Sequence, residues 1–186
     1  MIQQKIEIDV GSYNVFGVHM KIRNEMAEDI PFIYSLNESA FDSDDEAKLV
    51  NALRTNVKRV ISLVAETNDE VIGHIMFSPV TLIENTDLKF YGLAPMAVGS
   101  KFQNQGVGTL LVEAGLRECK SRSVSAVFVL GHPNYYPRFG FKSSSVFGIK
   151  SEYEVPEDVF MGIELVPGSL NNINGVVKYS AEFGSV

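Results

Sequence analysis

The most constraining feature of this sequence is a six-residue run, Ser125–Leu130, that is almost entirely apolar. A short strand without polar alternation is typical of the centre of a sheet that is covered on both faces. The run follows an amphipathic helix predicted over Gly106–Arg122, and that helix follows a strand predicted over Leu88–Val98. We therefore expect a sheet with helices packed against it.

The other segments add two early helices and an antiparallel meander. Apolar residues recur at helical spacing over Ala27–Asn37, and a second helix runs from a cap at Ser43-Asp44-Asp45 to about Arg54. Two β-rich runs, Val60–Glu66 and Glu70–Leu82, are separated by a short polar turn that is typical of a hairpin. Further strands are predicted in Met20–Asn24, Phe141–Phe147 and Phe160–Val166. This order predicts an α+β fold with a mixed sheet.

Length and composition fit one domain. The chain has 186 residues, of which 45% are hydrophobic and 21% charged, so it can bury a core and is not a disordered sequence. Residues 1–19 are turn-rich and are expected to lie outside the fold, as an N-terminal extension or leader. The domain is predicted over residues 20–166, followed by a C-terminal tail, 167–186, packed on it.

Charge and cysteine content exclude several classes of function. The net charge of −7 argues against nucleic acid as the main partner, because phosphate neutralisation needs a basic face. No apolar run approaches the ~18 residues that span a membrane. Cys119 is the single cysteine and the three histidines lack ligand spacing, so we expect neither a disulfide nor a metal site. We expect a cytoplasmic protein.

The segment Gln103–Gly108 lies between a predicted strand and an amphipathic helix. Glycines let the backbone approach a ligand, and a helix N-terminus offers free N–H groups that favour phosphate. An ordinary glycine turn explains the glycines equally well. Leu111 occupies the third glycine position of a dinucleotide fingerprint, and no Gly-Lys-Ser/Thr follows, so neither nucleotide motif is present.

Two further features lie at strand ends. Pro95 within Leu88–Val98 lacks a ladder donor, which predicts either a bulge that frees backbone groups for a ligand or an edge position. The run Leu130–Phe141 carries Tyr135 and Tyr136 directly after the apolar strand. One of these tyrosines is a candidate acid near a reaction centre, although a tyrosine in such a place more often serves packing.

Together these features resemble the GNAT superfamily of acyl-CoA-dependent N-acyltransferases. Gln103–Gly108 is similar to that family's Gln/Arg-x-x-Gly-x-Gly/Ala pyrophosphate loop, and Tyr136–Phe141 to its Tyr-x-x-x-Gly-Phe element. The resemblance covers residues 20 to about 166. It is closest to a bacterial single-domain branch, through Gly73–Pro79 and Leu130–Phe141.

The resemblance implies a mostly antiparallel central sheet that is splayed between two parallel strands, Leu88–Val98 and Ser125–Leu130, with acetyl-CoA in the opening. Lys101, Arg138 and Lys142 are either additional phosphate contacts or solvated surface charges. The implied acetyl-CoA contacts are Met96, Ala97 and Val98 for the pantetheine arm, and Gln103, Asn104, Gln105, Gly106, Val107, Gly108 and Thr109 for the pyrophosphate.

The resemblance also implies an N-acetyltransferase that transfers acetyl directly to a primary amine in a ternary complex. Tyr136 is then the general acid for the CoA thiolate, and strand amides near Met96 and Ala97 stabilise the oxyanion. The strand has no acidic residue after Leu88, which leaves the base open: a water relay, a base elsewhere, or a substrate that arrives deprotonated. The alternative is a non-catalytic acyl-CoA-binding or sensing module. A homodimer is one option for the assembly.

In the family that this chain resembles, the early helices and a late strand–loop segment wall the acceptor site. Here these regions are Ala27–Arg54 and roughly Phe147–Asp158, and carboxylates outnumber cations in both. Such a surplus predicts a positively charged amine acceptor, because it attracts cations. The alternative is that the carboxylates only keep an acidic protein soluble. The carboxylates are Glu28, Asp29, Glu38, Asp42, Asp44, Asp45, Glu46, Glu152, Glu154, Glu157 and Asp158.

Overall fold

The computed structural model describes residues 9–15, 18–82 and 87–185. Within that part of the chain there are three α-helices and ten strands. The helices are α1 (Ile30–Ala40), α2 (Asp45–Asn56) and α3 (Val107–Ser121). The strands are β1 (Asp9–Val15), β2 (Val18–Asn24), β3 (Ile61–Thr67), β4 (Glu70–Val80), β5 (Phe90–Val98), β6 (Ala126–Leu130), β7 (Lys142–Ser143), β8 (Ile149–Ser151), β9 (Phe160–Glu164) and β10 (Gly175–Val177). None of the described helices is long and apolar enough to cross a membrane.

Eight strands form one sheet in the order β1-β2-β3-β4-β5-β6-β9-β7. Only β5 and β6 are parallel neighbours in this sheet, and the other described pairs are antiparallel. A second, two-stranded sheet joins β8 and β10 in parallel. The predicted α+β fold, with a mostly antiparallel sheet and one parallel pair at its centre, is confirmed.

Side-chain alternation along β4 divides the molecule into layers. Ile75 and Phe77 pack with Leu111 of α3 on one face, whereas Met76 packs with Ile33 of α1 and Val50 of α2 on the other. This alternation of strand side chains explains why helices cover both faces.

The apolar run Ser125–Leu130 contains β6, which lies between β5 and β9. Val127 and Val129 belong to the core beneath α3, and Ala126 and Phe128 belong to a separate apolar cluster on the opposite face. Burial on both faces explains the absence of polar alternation in its sequence.

The structure differs from the sequence-based expectation at the N-terminus. β1 pairs with β2 from Asp9↔Arg23 to Val15↔Val18, so these residues belong to the sheet, and the prediction that residues 1–19 lie outside the fold is wrong for them. Tyr13 packs against the α3 core and its hydroxyl accepts a hydrogen bond from Arg117. Backbone hydrogen bonds to β2 hold this strand in the sheet. Because such pairing needs no alternating apolar pattern, the sequence of the strand did not predict it. Residues 1–8, 16 and 17 lie outside the described residues.

Two late segments also take forms that periodicity did not reveal. The strand predicted over Phe141–Phe147 is shorter in the structure. Only Lys142 and Ser143 form β7, and Ser144–Phe147 is a 3-10 turn. In the C-terminal segment, β10 pairs with β8, and Lys178 forms an antiparallel bridge with Thr81. The tail therefore contacts the domain through backbone hydrogen bonds.

Candidate functional site

The sheet opens between β5 and β6. These strands pair from Phe90↔Ala126 to Leu93↔Val129, after which β6 ends at Leu130 while β5 continues beside β4 to Val98. The last five residues of β5 therefore have one edge that β6 does not pair. Backbone N–H and C=O groups on such an edge can bind an extended ligand as a further strand would.

The opening begins at the irregularity predicted around Pro95. The register between β4 and β5 shifts where Ile75↔Met96 gives way to Phe77↔Leu93, so one β4 residue faces two residues of β5, Ala94 and Pro95. The predicted bulge is confirmed. Because a bulge redirects a strand, it explains why β5 leaves β6 at this point.

The three residues expected to contact pantetheine lie on the part of β5 that pairs with β4 but not with β6. Ala97 is buried and lies opposite His74 of β4, whereas Met96 and Val98 are partly buried against the core beneath α3. Their backbone is held by β4 on one edge and faces the opening on the other. The structure therefore brings Met96, Ala97 and Val98 together at one site.

The loop that follows β5 leads into the N-terminus of α3. Gln103, Gln105 and Gly106 are exposed, and Val107 is buried and anchors the helix start. The side chains of both glutamines fold back, since Gln103 donates to the Val98 carbonyl at 3.1 Å and Gln105 to the Lys101 carbonyl at 2.7 Å.

Among the described residues, no side chain caps the N-terminus of α3. Gly106, at φ +86°, is the N-cap residue, and a Cβ there would meet nothing within 4 Å. The first four N–H groups of a helix have no intrahelical acceptor, and no side-chain oxygen in the described part of the chain accepts a hydrogen bond from them here. Together with Asn104, at φ +59°, the loop presents backbone donors on an open surface that suits an anion.

The two adjacent tyrosines occupy different environments. Tyr136 is 7% exposed, and its ring lies so close to Gly131 that a Cβ there would be 2.2 Å from it. Burial raises the pKa of Tyr136 well above its usual value. Tyr135 is less buried, and its hydroxyl lies beside Gly108 in the first turn of α3. In the sequence Tyr135 is only one of two adjacent candidate acids, and no pattern there predicts its position beside α3.

The three basic residues considered as phosphate contacts separate in the structure. Lys101 lies in the loop before α3, and the guanidinium carbon of Arg138 lies 4.6 Å from the centroid of the Tyr135 ring. Lys142 lies on β7, which β9 separates from β6. The structure therefore places Lys101 and Arg138 near the loop or the tyrosines, and Lys142 at the far edge of the sheet.

A buried polar cluster, which the sequence did not reveal, lies on the other face of β4. His74 is fully buried, with Nε2 2.9 Å from Ser62 Oγ and Nδ1 3.4 Å from Asn37 Nδ2. Glu25 accepts hydrogen bonds from Ser62 and from Arg54. Because Asn37 Nδ2 is a donor, Nδ1 of His74 is the acceptor and Nε2 carries the proton. Burial lowers the pKa of His74 from 6.5 to about 3.

Two of the expected acceptor-site carboxylates form ion pairs with nearby cations. Asp29 pairs with the buried Arg23, whose Nη2 lies 2.9 Å from Oδ1, and Asp44 pairs with Lys48 at 2.7 Å. Glu46 differs, since its Oε2 is buried and has no hydrogen-bond partner among the described residues. Within the described part of the chain, no group of three histidine, cysteine, aspartate or glutamate side chains could hold a metal ion.

Comparison with known proteins agrees with this arrangement. The profile of the Acetyltransferase (GNAT) family matches residues 25–141. The uncharacterised N-acetyltransferase YhbS of Escherichia coli K12 is 39% identical over 166 residues, which are 88% of this chain and 98% of YhbS. A second protein of that strain, the uncharacterised N-acetyltransferase YjhQ, is 34% identical over 77% of this chain and 79% of its own length.

Two crystal structures extend the likeness to the fold. The E. coli YhbS structure in complex with CoA has a TM-score of 0.84 at 35% identity, covering 90% of this chain and 93% of that protein. A GNAT family acetyltransferase from Brucella melitensis in complex with acetyl-CoA has a TM-score of 0.72 at 33% identity, covering 89% and 98%. With the family profile and a relative 39% identical along most of its length, the chain belongs to the acetyltransferase (GNAT) family.

Proposed function

We propose that this protein is an N-acetyltransferase that moves an acetyl group from acetyl-CoA to a primary amine. The observation that carries the proposal is the edge of β5 that β6 does not pair, which is joined by the loop of residues 99–106 to the N-terminus of α3. An extended amide chain fits the first feature and a diphosphate fits the second. Family membership and the two similar proteins crystallised with CoA or acetyl-CoA support it.

In this proposal the pantetheine arm pairs with the backbone of Met96, Ala97 and Val98. The diphosphate accepts hydrogen bonds from the backbone of residues 103–109, namely Gln103, Asn104, Gln105, Gly106, Val107, Gly108 and Thr109. Because the glutamine side chains fold back onto the loop, backbone donors carry this binding.

The proposed reaction is direct attack on the thioester. The amine nitrogen bonds to the acetyl carbonyl carbon, and N–H groups near Met96 and Ala97 stabilise the oxygen as it becomes negative. The carbon–sulfur bond then breaks, the amine loses one proton, and the CoA thiolate gains one from Tyr136. The Tyr136 phenolate then recovers a proton from solvent. Burial raises the pKa of Tyr136, so its phenol is protonated at neutral pH and has a proton to donate.

The proposal places the amine proton on water. β5 has no carboxylate along Phe90–Val98, and His74 is fully buried, with both ring nitrogens engaged by neighbours. A water chain leading to bulk solvent is compatible with both facts, whereas a base on β5 or at His74 is not.

An amine panel tests the proposal. We expect the purified protein to release free CoA thiol from acetyl-CoA only when a primary amine is present, with one acetylated amine formed for each thiol. Tight acetyl-CoA binding without thiol release across small amines, polyamines and lysine peptides would favour the alternative, a non-catalytic acyl-CoA-binding module. Absence of acetyl-CoA binding would contradict both.

A further inference from the structure

The hydroxyl of Tyr135 lies at the N-terminus of α3. A Cβ on Gly108 would be 2.8 Å from that oxygen, and 3.6 Å from the methyl carbon of Met96. The first turn of α3, the last part of β5 and the segment after β6 therefore converge at Gly108.

Packing fixes the ring of Tyr135 in this orientation. Tyr136 and Phe139 meet it edge-on, with ring centroids 5.1 and 5.4 Å away, and Arg138 lies over its face at 4.6 Å. Edge contacts and a cation over the ring face each restrict a tyrosine to few orientations. The hydroxyl is thus directed at α3 by its neighbours on several sides.

The phenol of Tyr135 is a donor at neutral pH. Burial raises its pKa. A hydrogen bond with the Thr109 side chain and the positive charge of Arg138 lower the pKa by less, so it stays above its usual value. Phosphate oxygens accept hydrogen bonds and carry negative charge, so a protonated phenol at this position complements them.

We propose that Tyr135 positions acyl-CoA by donating a hydrogen bond from its phenol to a diphosphate oxygen beside Gly108 and Thr109. This inference rests on the acyl-CoA site proposed above and adds a side chain to a loop that otherwise binds through its backbone. The adjacent tyrosines then have separate tasks: Tyr136 acts at the sulfur, and Tyr135 holds the diphosphate. Arg138 is a positioning residue, because it acts through the Tyr135 ring.

Three ligands test the assignment with Tyr135→Phe, which removes only the hydroxyl. CoA and dephospho-CoA both carry the diphosphate, and pantetheine carries no phosphate. We expect the Kd of CoA and of dephospho-CoA to rise by the same factor, about tenfold or more, as for a lost hydrogen bond to a charged group. The Kd of pantetheine should not change. Equal losses for all three ligands, or no loss for CoA, would overturn the inference.

Tyr91→Phe is the matched control. Tyr91 is buried at the opposite end of β5 and donates its hydroxyl to the Arg59 carbonyl at 2.9 Å. Loss of this hydrogen bond in Tyr91→Phe should lower the melting temperature without changing any of the three Kd values. A loss of CoA affinity in Tyr91→Phe equal to that in Tyr135→Phe would overturn the assignment to Tyr135. If the wild-type protein binds none of the ligands, the acyl-CoA site itself is wrong. Unchanged binding by Tyr135→Phe beside a binding wild type removes only this inference.

Discussion

The two faces of the central strands are built from different chemistry. On the face beneath α3, Ile75 and Phe77 pack in an apolar core, whereas on the face beneath α1 and α2, His74 and Asn37 form a buried polar cluster. Apolar side chains hold a strand in place and carry no group that titrates. On this face the backbone at the end of β5 stays available for a ligand. A polar cluster depends on protonation. We therefore expect ligand binding to depend on the α3 side, and acid sensitivity to arise on the other.

The largest effect is expected at Tyr136. Tyr136→Phe should keep the ring in the core and lower turnover by about 10²–10⁴-fold, as is typical of a lost general acid. Steady-state kinetics and calorimetry together measure this effect, and the Kd of acetyl-CoA should stay at its wild-type value. Equal turnover, with chemistry shown to be rate-limiting, would leave Tyr136 a packing residue.

Gly108→Asp should weaken acetyl-CoA binding by about 10- to 100-fold, the cost of losing one charge-assisted hydrogen bond. The new side chain would collide with the Tyr135 hydroxyl, which lies 2.8 Å from a Cβ there, and would place a negative charge beside the diphosphate. Gly184→Asp is the control, since it adds the same group where nothing lies within 4 Å. Unchanged calorimetric affinity in a folded Gly108→Asp protein would contradict the proposed loop.

The polar face should make the fold acid-sensitive. His74 has a pKa of about 3 in the fold and 6.5 when unfolded, so between these values the unfolded chain binds a proton that the folded chain does not. Stability from this group is complete above pH 6.5 and is lost as pH falls toward 3, by at most about 1.4 kcal/mol per pH unit. Urea unfolding at several pH values measures the slope.

His74→Gln removes the titrating group and is the matched variant for that experiment. Its unfolding free energy should depend less on pH between 6.5 and 4 than that of the wild type, whatever its absolute stability. The same slope in both proteins would place the acid sensitivity outside the polar cluster.

The smallest effect concerns the acceptor. If unneutralised carboxylates on α1, α2 and the late loop attract the amine, the KM of a cationic amine should rise by about 1.5- to 5-fold from low to high salt, as for exposed ion pairs. A neutral amine of similar size should show no such rise. Better turnover of anionic amines would contradict a cationic acceptor and leave acetyl transfer intact.

Elements with strong local patterns could be predicted from the sequence. The apolar run of β6 and the amphipathic stripe of α3 are local signals, and both elements formed close to the predicted bounds. β1 could not be predicted in the same way, because Gly11, Ser12 and Asn14 weaken its pattern and pairing with β2 supplies its order. Local sequence does not encode which edge will accept a strand.

The candidate site also has parts that a local pattern predicts and parts that only tertiary contacts define. Gly106 and Gly108 identify the start of α3 because their spacing is local. The residues alone do not separate the two tyrosines, and only the family resemblance singles out Tyr136. In the structure one ring lies on Gly131 and the other hydroxyl reaches Gly108. The His74 cluster joins residues 12 to 37 positions apart, which no local pattern links.

Hydrogen exchange with and without acetyl-CoA tests the central claim most directly, that the unpaired edge of β5 and the loop before α3 bind this ligand through their backbone. We predict that acetyl-CoA slows amide exchange in residues 96–98 and 103–109, while amides around His74 and along α2 exchange as before. Slowing confined to α1 and α2, or no slowing at residues 96–109 when acetyl-CoA is bound, would contradict the account.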